Sequence, residues 1–370
     1  MDGLPDGGRA LPVIDCVGLP RERGQAHGEG LRSLIQTGLE RWLDALGAAH
    51  AMDPEQYVGD FLKDTHYIAA IERWAPALLE EVRGIAIGAD RPFPHLLVYN
   101  LMDEEWAYSK ARRLPAPGCS VVGVPRAGGR TAILAQTMDI PSLHDGTQSV
   151  LRIRSGDAPD ALVFTAAGMI ALNGCNDAGL GVVVNNLEML PSSDSGLPVA
   201  FVVRGLLERT SLKEGSSFLR SVPHAIGQHY ALGSPEGFAS FECSARGVVE
   251  DSATVRVLHT NHPLLAVDCV GDPEAAYARS RTRERYAYLL ERVSEADGVD
   301  QRVVEEVLAD TSVPVSLEPG RGVMTFGAVS IELSEPPRLR VAPGPPHVTP
   351  FVEVQFPEEF ENRVRAILHA

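Results

Sequence analysis

The stretch Arg112-Arg113-Leu114-Pro115-Ala116-Pro117-Gly118-Cys119-Ser120-Val121-Val122 divides the chain into two textures. Its basic residues, prolines and glycine read as an exposed linker. The apolar run behind Cys119 reads as the first of a series of short strands. Upstream the pattern is helical: Leu31, Leu34, Ile35, Leu39, Trp42, Leu43 and Leu46 fall at the spacing of one buried helix face. A second helical stretch covers 54–87, where Pro76 opens a new helix at its first turn or kinks one. A short helix over 96–106 ends in Asp103, Glu104 and Glu105. Downstream, strand-like runs cover 120–124, 131–139, 149–153, 161–166 and 180–187, followed by a helical block over 198–222. Strands at 239–244 and 254–259, a charged helix near 277–293, strands at 322–333, 338–342 and 351–355, and a last helix from Pro357 complete the chain. Strand clusters set apart from helix clusters predict an α+β layering, with antiparallel sheets covered by helices.

Composition excludes some functions. Lys and Arg number 33 against 49 Asp and Glu, a formal charge of −16, which disfavours nucleic acid and anionic membrane surfaces. No apolar run reaches the ~18–20 residues of a membrane span, and the first residues show neither a basic nor an apolar leader region. The five cysteines, at 16, 119, 175, 243 and 269, are widely spaced and odd in number. That pattern suggests reduced thiols and a cytoplasmic setting. A phosphate-binding GxxxxGK[ST] loop, a GxGxxG turn and a GxSxG elbow are all missing from the sequence.

Cys119 stands out among the thiols because it follows a glycine at a strand start. Glycine lets the backbone there adopt strained geometry. Attack of the thiol on the Gly118 carbonyl, followed by hydrolysis, would free Cys119 as a new N-terminus. Its α-amine, with a pKa near ~7.7–8.0, would then serve as the thiol's base. Position alone also fits a small buried residue at a strand start. Asn261, in Leu258-His259-Thr260-Asn261-His262-Pro263, is placed either to donate to an oxyanion or to close the strand in an Asx-turn. His259 and His262 have an HxxH spacing without the HExxH helix of a zinc site. Asp139 closes a strand where it could accept from an N-terminal amine or cap the next turn. Asn173–Leu180 reads as a tight turn before a strand that ends in Asn185-Asn186. Over 280–285, charge at helical spacing reads as a solvated face, with an inward arginine the minority case.

Taken together, these segments resemble the acyl-coenzyme A:6-aminopenicillanic acid acyltransferase family, also called the isopenicillin N acyltransferase or C45 peptidase family, of N-terminal-nucleophile hydrolases. The resemblance rests on the glycine-bearing stretches 18–28 and 75–88, and on Gly118-Cys119-Ser120. It also rests on Ala135-Gln136-Thr137-Met138-Asp139, Asn173–Leu180 with Asn185-Asn186-Leu187, and His259-Thr260-Asn261-His262. It implies a four-layer αββα sandwich and self-cleavage into segments 1–118 and 119–370, which stay together as a heterodimer within one structural domain. It implies Cys119 as nucleophile, its α-amine as base and Asp139 orienting that amine. Asn261 would be the oxyanion donor, helped by Asn186, and Arg283 the arginine near the cysteine, with Arg281 as fallback. A small-molecule acyl donor and an amine acceptor follow, with no metal, no bound cofactor, and acyl-coenzyme A as a candidate co-substrate. The chain departs from the family pattern at Thr137, Ile140 and Ser316-Leu317-Glu318-Pro319, where the nearest arginine is Arg321. These departures put the substrate pocket, and penicillin as substrate, in doubt. Two rival readings remain: an uncut binding protein on the same fold, and a metal-dependent amidohydrolase using His259, His262 and a carboxylate such as Asp268.

Overall fold

The structure, a computed structural model, describes residues 10–109, 118–251, 255–293, 299–318 and 322–357. The linker over 112–117, Arg321 and the helix expected from Pro357, whose other residues are 358–370, lie outside that set. The first part holds β1 (Val13–Val17), α1 (Pro20–Gly30), α2 (Arg32–His50), α3 (Pro54–Asp64), α4 (Tyr67–Trp74), α5 (Pro76–Ala89), α6 (Phe93–Tyr99) and α7 (Met102–Tyr108). From Cys119 onward come β2 (Cys119–Val124), β3 (Ala132–Pro141), β4 (Gln148–Arg154), β5 (Ala161–Ala166), β6 (Asn173–Asn176) and β7 (Gly181–Asn186). Next are α8 (Val199–Leu207), α9 (Leu212–Ser221), β8 (Gln228–Ser234), β9 (Gly237–Ser244), β10 (Gly247–Glu250) and β11 (Val257–His259). The chain continues through α10 (Pro273–Ser280), α11 (Thr282–Val293), α12 (Gln301–Leu308), β12 (Val323–Leu333), β13 (Arg338–Ala342) and β14 (Val352–Val354).

The strands form two sheets. One has the order β1-β4-β5-β6-β7-β8-β9-β10 and the other β11-β2-β3-β12-β13-β14. Every pairing is antiparallel except β1 with β4. The sheets pack face to face, with Leu134, Ile331 and Leu333 of the smaller sheet pressed on Gly181 and Gly233 of the larger. Helices α8 and α9 cover the outer face of the larger sheet, and α11 and α12 that of the smaller. This is the expected αββα sandwich. Every residue of β2 and β3 is buried because each strand lies between a sheet and a helix. Such strands read as continuous apolar runs rather than alternating ones.

The helical first part is built around a very close approach of α1 to α5. A Cβ on Gly24 would lie 1.9 Å from the Glu81 carbonyl oxygen, and one on Gly84 would lie 2.1 Å from that of Arg21. Gly28 and Gly88 meet the opposite helix just as tightly. Gly24, Gly28, Gly84 and Gly88 are therefore packing residues, needed because backbone touches backbone. Pro76 opens α5 at its first turn, where its missing N–H costs nothing.

The same contact buries Glu81 between Arg23, at 3.2 Å, and Arg204 of α8, at 2.6 Å. Burial alone would raise the Glu81 carboxyl, but Arg204 and Arg23 outweigh it and hold it below the usual range. Several elements escaped the sequence pattern. Asn173–Asn176, read as a turn, is a strand whose Gly174 lies against the Leu162 backbone. Strands β1, β8 and β10 and helix α12 were unassigned.

Candidate active site

Cys119 begins β2 at the seam and is buried, paired across the ladder with Met138. Its backbone N–H donates to Asn261 Oδ1 at 2.7 Å, and the carbonyl of Gly118 accepts from the Asp139 N–H at 2.6 Å. The peptide bond before the cysteine is therefore gripped on both sides. The role of Gly118 differs from the sequence reading. Its φ lies outside the left-handed region, so strain is not what the position requires. Space is: a Cβ there would sit 2.8 Å from Asp139 Oδ2 and 3.3 Å from Arg285 Nη2.

Asp139, at the far end of β3, takes a 2.6 Å bond from the Thr325 hydroxyl of β12. Burial pushes its carboxyl up to about 7, against the opposing pull of Arg285 and Thr325. Burial and the Asp139 charge also push the Cys119 thiol up to about 12. In the uncut chain the thiol therefore keeps its proton at neutral pH.

The arginine at the cysteine is Arg285, not Arg283 or Arg281. Its guanidinium donates to the Cys119 carbonyl at 2.7 Å, to Ser120 Oγ at 3.1 Å and to Asn261 Oδ1 at 2.8 Å. Arg283 instead forks onto Glu274 at 2.8 Å and stacks on Tyr277, with more than half its side chain exposed. Arg281 pairs with Glu284 at the surface. The phase of α11 explains the correction. Thr282, Arg285, Leu289 and Val293 are its buried residues, at the spacing of one helix face, and Arg283 lies on the other side.

The orientation of Asn261 follows from its partners. Its Oδ1 meets two donors, the Cys119 N–H and Arg285, while its Nδ2 donates to the Asn186 carbonyl at 3.0 Å. A flipped amide would set donors against donors. Asn261 thus holds the nitrogen of Cys119, and one further N–H of its amide is left for another acceptor. Asn186 contributes its main-chain carbonyl here and turns its side chain away, donating to Asp103 Oδ1 at 2.8 Å. Its neighbour Asn185, missed in the sequence, donates to the Cys119 carbonyl at 3.1 Å and accepts at Oδ1 from His229 Nδ1 at 2.7 Å. Gln136 ties the sheets together, donating to the Val184 carbonyl and accepting from Asn173 at 3.0 Å. His259 is used up in the framework, with Nε2 on Glu242 at 3.0 Å and Nδ1 on the Thr260 carbonyl at 2.7 Å. Among the described residues no cluster of His, Cys, Asp and Glu is placed to hold a metal ion, and no helix is long and apolar enough to cross a membrane.

A narrow pocket opens beside Cys119. Met102, Trp106, Met169, Leu172 and Val199 make its apolar wall, and Asp103, Asn186 and Gln228 its polar one. Asp103 and Glu104 are both raised from the carboxylate range, chiefly by burial. Glu104 is nonetheless spoken for, accepting the Val199 N–H at 2.9 Å, as Glu105 accepts from the Tyr57 hydroxyl at 2.5 Å.

Comparison with known proteins points to one family. The model of the family described as acyl-coenzyme A:6-aminopenicillanic acid acyl-transferase matches residues 126–306. That span takes in Asp139, Asn186, Asn261 and Arg285 and begins after Cys119. The 40 kDa form of acyl-coenzyme A:6-aminopenicillanic-acid-acyltransferase from Emericella nidulans is 27% identical over 257 residues, 68% of this chain and 69% of the relative. Among solved structures, a mutant of conjugated bile acid hydrolase from Clostridium perfringens aligns at a TM-score of 0.41 and 12% identity, covering 64% of this chain and 92% of that one. Penicillin V acylase from Agrobacterium tumefaciens aligns at 0.36 and 16% identity, covering 61% and 82%. Over residues 126–306 the chain is similar to the acyl-coenzyme A:6-aminopenicillanic acid acyltransferase family.

Proposed function

We propose that this protein cuts itself between Gly118 and Cys119 and then, through Cys119, transfers an acyl group from an amide or thioester to an amine or to water. The observation that carries the reading is the double grip on the Gly118–Cys119 peptide bond, by Asn261 on the nitrogen and the Asp139 N–H on the carbonyl oxygen. In the cut, Cys119 Sγ attacks the Gly118 carbonyl carbon while the oxyanion is held by the Asp139 N–H. The C–N bond breaks as the proton of the thiol passes to the leaving nitrogen, and water then hydrolyses the thioester. Gly118 leaves as a carboxylate and Cys119 as a free amine.

That amine stays on Asn261 Oδ1 and, with a pKa near ~7.7–8.0, takes the proton of the adjacent thiol when Sγ attacks a substrate carbonyl. The remaining Asn261 N–H donates to the new oxyanion, and the ammonium returns its proton to the departing nitrogen. An acceptor amine or water then attacks the thioester, expelling Sγ. Asp139 and Arg285 act as the fixed electrostatic frame around these charges. No bound metal or cofactor takes part, and acyl-coenzyme A serves as one acyl donor. All five cysteines are unpaired, which supports a cytoplasmic setting. The two pieces remain one structural domain as a heterodimer.

The denatured mass of the wild type beside Cys119→Ala tests the proposal. Two chains meeting at Gly118/Cys119 in the wild type, and one chain in the variant, are expected. A single 39.8 kDa chain in both would leave an uncut binding protein.

A further inference from the structure

We propose that the site selects substrates whose amine half carries a positively charged nitrogen, seated against Asp103 with a second N–H on Gln228. The inference rests on the acyl-transfer reading above and names the substrate class of that same pocket. Asp103 lies on α7, in the part of the chain before the cut, and its only side-chain partner among the described residues is Asn186. One carboxylate oxygen is therefore left for a ligand. Gln228, at the start of β8 and paired across the ladder with Asn186, is 2% exposed, and its Oε1 is buried with no hydrogen-bond partner among the described residues. Buried acceptors are normally satisfied, because an empty one forfeits the bonds it made to water.

Both residues line the pocket that holds Cys119. Its described lining carries no lysine, arginine or histidine, and Arg285 spends its donors on the Cys119 carbonyl, Ser120, Asn261 and the Ser280 carbonyl. An N–H-bearing cation fills both vacant acceptors. A carboxylate in the same place meets two acceptors and a like charge, which rejects it. The apolar wall of Met102, Trp106 and Leu172 takes the hydrocarbon of the acyl half, leaving the polar pair to the amine half.

The test compares the hexanoyl amides of 1,3-diaminopropane, butylamine and 4-aminobutyrate, near-isosteres that are cationic, neutral and anionic. Wild-type kcat/KM is expected to fall in that order, with at least tenfold between cationic and neutral. In Asp103→Asn, which keeps an acceptor for Asn186, the cationic-to-neutral ratio drops tenfold or more. Gln228→Leu gives a second, independent reading of the same ratio. Turnover led by the neutral or anionic amide, or a ratio unchanged in both variants, overturns the substrate assignment while leaving the acyl-transfer reading intact. No turnover of any amide, with no acyl adduct on Cys119 by mass, sinks both.

Discussion

Replacing Arg285 by methionine separates this site from the one a helix-phase error would give. The guanidinium is 1% exposed and makes charge-assisted bonds to the Cys119 carbonyl and to Asn261 Oδ1. Each acceptor keeps one other donor, Asn185 for the first and the Cys119 N–H for the second. Neither becomes an orphan, so these two bonds cost ~1.5–3 kcal/mol each, and those to Ser120 Oγ and the Ser280 carbonyl go with them. Asp139 loses the one cation that pulls its carboxyl down, and it responds by taking a proton. The expected loss of unfolding free energy is therefore about 3–5 kcal/mol, in the range for breaking a buried charge pair. Asn261 is no longer fixed at the scissile nitrogen, and ~3 kcal/mol of lost positioning slows self-cleavage about 10²-fold. Stability is read by urea titration in a Cys119→Ala background, and cleavage by mass against time in Arg285→Met alone. Arg283→Gln serves as the control, since an exposed pair is worth ~0–1 kcal/mol and touches nothing at the cysteine. Equal damage from Arg283→Gln, or wild-type cleavage in Arg285→Met, refutes the assignment.

Three further outcomes are expected. Gly118→Ala folds yet accumulates uncut chain, because its Cβ meets Asp139 Oδ2 at 2.8 Å and pushes the peptide bond off its grip; cutting at the normal rate would contradict this. Gly84→Ala puts a Cβ 2.1 Å from the Arg21 carbonyl oxygen, so α1 and α5 must part and the urea midpoint of the Cys119→Ala background drops sharply. The stability of the Cys119→Ala protein also falls as pH rises from 6.5 to 8. Asp139, raised by burial from 3.8 to about 7, binds a proton in the fold that the unfolded chain has already lost, so its contribution disappears as pH climbs through 7. That is about 1 kcal/mol from Asp139 alone, and the raised Asp103–Glu104 pair adds in the same direction. The histidines depressed by burial, His27, His144, His224, His229 and His262, oppose this trend, mostly below pH 6.5 and with an effect that fades about a unit above it. Asp139→Asn flattens the slope, and a rise with pH in the parent would refute it.

What the sequence disclosed and what it hid divide along physical lines. Ala161–Ala166 and Arg338–Ala342 were legible to the residue, because a buried strand of β-formers between turn residues needs no partner to be recognised. Asn173–Asn176 was hidden because it becomes a strand only where Gly174 can lie on the Leu162 backbone of β5. Cys119, Asp139 and Asn261 lie together in space as anticipated. Arg285 was hidden by two positions of helix phase, and the buried set Thr282, Arg285, Leu289 and Val293 holds the cue that fixes it. The pairing of Asp103 with Asn186, and the empty acceptor on Gln228, were out of reach. Three residues from α7, β7 and β8 carry no shared spacing, and only the sandwich brings them to one pocket.

That pocket would tie the two pieces of a chain cut as proposed. The segment before Gly118 supplies Met102, Asp103 and Trp106 to the wall beside Cys119, which begins the second. It also supplies β1, paired with β4 along the edge of the larger sheet, and Glu81, whose strongest partner is Arg204 across the cut. Asn100 adds bonds to the Gly168 carbonyl and the Ile170 N–H, and Glu104 one to the Val199 N–H. Separation would strip Arg204 of its carboxylate partner and leave Glu81 with Arg23 alone, before any hydrocarbon is counted. Side chains from Leu31 to Leu101 share one core cluster with those from Cys119 to Val354, so the hydrocarbon cost is far larger. The two pieces are therefore expected to co-elute on native size-exclusion and to come apart only with global unfolding in urea. Dissociation at low concentration without denaturant, with the larger piece still folded, would show that the first segment is a removable cover and not half of the site.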